Sequence, residues 1–97
     1  MKQLSVFCSR DLEDRVVAAL DHAGVEGFLR MGGGTGAKFK SGGEVPRTMT
    51  WDATLFLVPA VAEDRLQLVI AELERYAGSC EVKPCLRIIV SAVEKVV

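Results

Sequence analysis

Thr48-Met49-Thr50-Trp51-Asp52-Ala53-Thr54-Leu55-Phe56-Leu57-Val58, at the middle of the chain, is the stretch whose reading decides the fold. Trp51, Ala53, Leu55 and Leu57 alternate with Asp52, Thr54, Phe56 and Val58, and β-branched and aromatic residues are frequent, so the stretch predicts a strand. Pro59 is expected to close it, because a prolyl ring cannot donate to a ladder. Toward the C-terminus, Glu63 and Asp64 fall in the first turn of a helix whose inward stripe is Leu66, Val69, Ile70, Leu73 and Ala77, with Gly78 as its stop. Leu86 to Val93 then reads as another strand, nearly continuous in apolar residues. Toward the N-terminus, the cluster Gly32-Gly33-Gly34-Thr35-Gly36 gives little reason for regular structure, and a loop is expected from about residue 32 to residue 47. Before it, Val25 to Met31 predicts a strand. Leu12, Val16, Ala19, Leu20 and Ala23 predict a helix, started by Ser9 or Asp11 and ended by Gly24. Leu4, Val6 and Cys8 alternate with Gln3, Ser5 and Phe7 in a first strand.

Strand, helix, strand, strand, helix, strand is the order of a ferredoxin-like βαββαβ domain of the α+β class, in which two helices cover one face of a four-stranded antiparallel sheet. The other face has no cover in a single copy. It should then be polar, yet both alternating sets carry apolar residues: Phe7 opposes Val6, Phe56 and Val58 oppose Leu55 and Leu57, and Ile89 opposes Ile88 and Val90. Burying that face against other copies of the chain would stabilise an oligomer at roughly 25 cal/mol per Å² of apolar area. A chain of 97 residues is one domain, 1–97, and buries a modest share of its own surface. Its net charge of -1 supplies no positive field for nucleic acid. The N-terminus lacks a signal-peptide pattern, no apolar run could span a bilayer, and a cytoplasmic location is expected. Three scattered cysteines predict reduced thiols rather than a disulfide framework.

Gly32 to Gly43 is the first candidate for function. Glycines let successive amides face an anion, and Lys38 and Lys40 add charge, so a phosphate cradle is one reading. A mobile loop with no ligand of its own is the other, and on either reading Thr35 to Pro46 is expected to be mobile without ligand or partner. Lys38 sits between Ala37 and Phe39, which is not the Walker pattern, and the dinucleotide GxGxxG spacing is absent too. Cys80 and Cys85 lie five residues apart before the last strand and could be a redox pair or two soft metal ligands. Two ligands do not close a site, and His22, at the end of the first helix, reads as a surface residue near the negative end of the helix dipole. Cys8 reads as a small core residue. No nucleophile, base and orienting carboxylate converge, and Asp11, Asp14, Glu72 and Glu74 read as solvated helix residues. An enzyme is not expected.

Two stretches resemble the PII nitrogen-regulatory proteins: Ala18-Ala19-Leu20-Asp21-His22-Ala23-Gly24-Val25-Glu26-Gly27-Phe28 looks like the end of their first helix and start of their second strand, and Ile88-Ile89-Val90-Ser91-Ala92-Val93-Glu94-Lys95-Val96-Val97 like their last strand and tail. The loop between falls where that family has its T-loop. The resemblance implies a homotrimer with ligand clefts between subunits, and a T-loop that controls a membrane transporter or a metabolic enzyme. Pro84-Cys85-Leu86-Arg87 stands where the family has Gly-Asp-Gly-Lys, Lys38 where it has an arginine, and Phe39 where it has a glutamine. No tyrosine occupies the loop to accept uridylylation. The chain is therefore more similar to the divergent PII-like group, whose ligands include adenine nucleotides, bicarbonate and metals. By that resemblance Gly34, Gly36 and Lys38 of one subunit would meet Arg87 and Lys83 of the next around a small anion. The alternative is a metal-handling trimer resembling the CutA divalent-ion tolerance proteins, using Cys80 and Cys85.

Overall fold

The computed structural model describes residues 1–40, 47–78 and 85–97. Its elements are β1 (Lys2–Ser9), a 3-10 turn (Arg10–Leu12), α1 (Glu13–His22), β2 (Leu29–Lys40), β3 (Arg47–Val61), α2 (Glu63–Ala77) and β4 (Leu86–Ala92). The sheet order is β2-β3-β1-β4 with every neighbouring pair antiparallel, which is the ferredoxin-like βαββαβ arrangement expected from the sequence.

The core lies between the sheet and the helices. Leu4, Val6 and Cys8 of β1 and Phe56 and Val58 of β3 point to one side and are buried there against Val16, Ala19 and Leu20 of α1 and Val69, Leu73 and Ala77 of α2. Cys8 is thus the core residue its alternation predicted. Burial, with Glu13 and Asp11 nearby, pushes its thiol pKa from 9.0 up to about 11. Phe28, just before β2, closes one end with its ring edge-on to Phe56 at 5.5 Å between centroids. Helix α1 stops at a pair of nested turns, in which the amide of Gly24 donates to Asp21 O and that of Val25 to Leu20 O. Gly24 has φ +76, a conformation that costs other residues but not glycine.

Five local expectations need correction. The segment 32–40 is not loop: β2 runs through the glycine cluster to Lys40 and pairs with β3 from Gly34↔Ala53 to Lys40↔Arg47, forming a two-stranded ribbon beyond the main sheet. Between Met31↔Leu55 and Gly34↔Ala53 the register slips by one residue, a bulge at which Gly33 takes φ +77. Likewise Pro59 does not close β3, which continues to Val61. The register against β1 shifts between Lys2↔Val61 and Leu4↔Val58, and that irregularity admits a residue with no N–H to pair. Residues 25–28, given to a strand by their apolar content, precede β2 without joining it.

At the start of the first helical turn, Ser9 makes no side-chain cap; its amide instead donates to Cys85 O at 3.0 Å, and its buried hydroxyl has no hydrogen-bond partner among the described residues. The fifth correction concerns Glu72, which is buried in α2 rather than solvated. His22 Nδ1 lies 3.1 Å from Glu72 Oε2, and Arg75 Nη1 3.8 Å from Oε1. The exposed His22 therefore joins the two helices through a carboxylate.

Candidate functional site

Alternation along the strands divides the sheet into two faces. Opposite the core lie Phe7 of β1, Leu55 and Leu57 of β3, Arg87 and Ile89 of β4, and Leu29 and Met31 of β2, as the pairings Phe7↔Leu55, Phe7↔Arg87, Leu29↔Leu57 and Met31↔Leu55 require. Phe7, Leu29, Met31 and Ile89 are 42–63% exposed, so the uncovered face is as apolar as its sequence predicted. Beyond the bulge the same face continues along the ribbon through Gly34, Gly36 and Lys38 on β2 and Ala53, Trp51 and Met49 on β3.

A groove of about 800 Å³ opens where ribbon and sheet meet. Gly34, Gly36, Lys38 and Arg87, the four described residues expected to bind an anion, all line it. Lys83 and Cys80 lie outside the described residues. The four converge within one chain, whereas the family resemblance had divided them between neighbouring subunits. Lys38 and Arg87 form no ion pair among the described residues. Arg87 Nη1 donates only to Leu86 O, at 3.3 Å, so both cations are available to a ligand.

The rest of the lining was not singled out from the sequence. Phe7, Met31, Leu55, Phe39 and Trp51 give the groove an apolar wall. Trp51 is cross-strand to Gly36, and its ring lies so close that a Cβ built on Gly36 would sit 2.4 Å from Cε2 and 2.5 Å from Nε1. The glycine leaves the space that the indole fills, and each explains the other. The signal was present in the alternation: Trp51 and Leu55 share a face, and the pairing of the strands puts Phe7 there as well.

Glu13, in the first turn of α1, anchors the base of the ribbon from the other side. Its Oε1 accepts from the buried hydroxyl of Thr54, and a Cβ on Gly32 would meet the same oxygen at 3.7 Å. The bulge at Gly32–Gly33 is therefore braced by a carboxylate beneath it while the groove opens above.

For the cysteines, Cys85 is disulfide-bonded, contrary to the expectation of reduced thiols, and it is buried at the start of β4. A cysteine in that state offers no thiolate to a metal. Among the described residues there is no group of three or more potential metal ligands, and no helix is long and apolar enough to cross a membrane.

No family model matches the chain, and no curated protein matches it in sequence. Solved structures do match in shape. GlnK of B. subtilis in complex with ATP superimposes with a TM-score of 0.77 over 96% of this chain and 82% of its own, at 10% identity. CPII from Thiomonas intermedia K12, described as a nitrogen regulatory PII-like protein bound to ADP, AMP and bicarbonate, gives 0.66 over 93% and 86%, at 17% identity. The fold is that of the PII-like proteins.

Proposed function

We propose that the chain is a PII-like regulatory protein rather than an enzyme. As a homotrimer it senses a small anion, an adenine nucleotide or bicarbonate, and through its β2–β3 ribbon it controls a partner such as a membrane transporter or a metabolic enzyme in the cytoplasm. One observation carries this reading: Lys38 and Arg87, neither of which forms an ion pair among the described residues, share a groove with Gly34 and Gly36 at the root of an extended ribbon. Charge-assisted hydrogen bonds from the two cations suit a phosphate or a carboxylate-like anion, each such bond contributing about 1.5–3 kcal/mol. The ligands held by CPII and GlnK are of that class. The apolar face carrying Phe7, Leu29, Met31 and Ile89 supports assembly, and copies meeting on it would place the grooves beside subunit boundaries.

Calorimetry with ATP, ADP and bicarbonate tests the proposal on the chain and on a Lys38→Ala/Arg87→Ala variant. The variant should lose anion affinity by roughly tenfold or more and remain a trimer by light scattering, since neither side chain belongs to the apolar part of the face. A variant that binds every anion as the parent does would remove the groove as the site.

A further inference from the structure

We infer that Trp51 is the residue that sets ligand choice in the groove: its indole stacks a planar heteroaromatic ring, so that the preferred anion is a nucleoside phosphate and bicarbonate is at best a secondary one. This rests on the anion-sensing reading above and narrows it.

Size is the first argument. A groove of about 800 Å³ is in the range that encloses a ligand of several hundred daltons, while bicarbonate has four non-hydrogen atoms. The lining is the second. Beyond the part of the face assigned above to assembly, its larger apolar side chains are Phe39 and Trp51, on the ribbon, which an inorganic anion would leave facing water.

The third argument is that Trp51 is already held. Its ring is laid on Gly36 across the ribbon, with no room for even a methyl group between, so little side-chain freedom remains to be lost when a ligand stacks on it. The residue is only partly buried and lines the groove, which leaves ring surface open to a ligand. Its neighbours are suitably placed. Lys38 pairs with Met49 and Gly36 with Trp51, so Lys38 is the diagonal neighbour of Trp51 on the same face, about 7–8 Å away. That spacing accommodates a sugar between a ring stacked on Trp51 and a phosphate held by Lys38. Stacking on an aromatic side chain accepts any base, so the platform would favour nucleotides as a class, and choice among bases would fall to other contacts.

Because Trp51 is the sole tryptophan, its fluorescence reports the groove directly. ATP should quench or shift that emission, whereas tripolyphosphate and bicarbonate should leave it nearly unchanged. By calorimetry, Trp51→Ala should weaken ATP binding about tenfold or more while leaving tripolyphosphate binding as in the parent, and Trp51→Phe should restore most of the loss. Equal losses for ATP and tripolyphosphate would make Trp51 a structural prop for the ribbon and overturn the inference. So would a Trp51→Ala variant that binds ATP like the parent, or a parent that binds bicarbonate but not ATP. In the last two cases a Lys38→Ala/Arg87→Ala variant that loses its anion still upholds the anion-sensing reading. A parent that binds no anion at all overturns both.

Discussion

The two faces of the sheet are made from the same strands and nearly the same kinds of residue, yet they do different work. On the helix side, Leu4, Val6, Phe56 and Val58 are at most 1% exposed, packed against α1 and α2 in a closed core. On the other side, Phe7, Leu29, Met31 and Ile89 keep 42–63% of their surface, and the groove opens beside the ribbon that continues the face. Hydrophobicity alone does not distinguish core from interface. What distinguishes them is whether a single copy of the chain supplies the cover, and here two helices suffice for one face only.

The contrast is sharpest for two phenylalanines. Phe56→Ala should remove about 3–5 kcal/mol from the unfolding free energy, because a fully buried ring leaves a cavity that the surrounding side chains only partly fill. A urea titration measures it, and a loss below about 1 kcal/mol would mean that the helix side is not the closed core. Phe7→Ala should have little effect on the folded single copy. An Ile89→Asp substitution, which places a charge on the open face, should convert the proposed trimer to monomers that remain folded by circular dichroism and light scattering. A monomeric parent, or a charged variant that still assembles, would break the comparison by showing that this face needs no cover.

Smaller effects separate the ribbon from the main sheet. Gly36→Ala forces Trp51 off its seat and should cost about 1–3 kcal/mol, felt in faster amide exchange from residue 34 to residue 40 and not in β1. Cys8 probes the closed face through pH. Its thiol is raised from 9.0 to about 11 in the folded chain, so the native state prefers the protonated form. That preference is fully present below pH 9 and is lost as pH rises toward 11, amounting to about 1.4 kcal/mol by pH 10. Stability followed from pH 8 to pH 11 should fall less steeply in a Cys8→Ala variant than in the parent.

The element order was legible because helices and strands carry different periods, and each helix stripe read from spacing reached the core: Val16, Ala19 and Leu20 in α1, Val69, Leu73 and Ala77 in α2. Glycine and proline misled where tertiary pairing outweighs local preference. The cluster at 32–36 looked like a loop because glycine has neither a side chain to pack nor a restricted backbone, yet β3 supplies both a hydrogen-bonding partner and an indole to fill the gap. Pro59 looked like a strand end because a regular ladder rejects it, and a register shift is not visible in one sequence. At the site, Gly34, Gly36, Lys38 and Arg87 came from family resemblance and not from their own chemistry, which is weak in isolation. Trp51 and Phe7 were not expected at the site: alternation divides each strand into two sets, and only the pairing of the strands shows that the set with Trp51 and Leu55 shares the open face with Phe7. Glu72 was misread because a carboxylate one turn from Arg75 looks solvated until α1 brings His22 against it.

The bulge at Gly33 gives the ribbon the mechanics of a lever. Its six steps from Gly34 to Lys40, at about 3.3 Å each, carry the far end about 20 Å from the bulge. Because both strands stay hydrogen-bonded along that length, the arm bends as one piece, and a tilt of roughly 10° at its root would displace the Lys40↔Arg47 end by about 3–4 Å. The groove lies at the fulcrum. On the reading proposed above, a ligand held there between Trp51 and Arg87 would have only to alter an angle slightly for the change to be read at a distance, without any refolding of the sheet behind it.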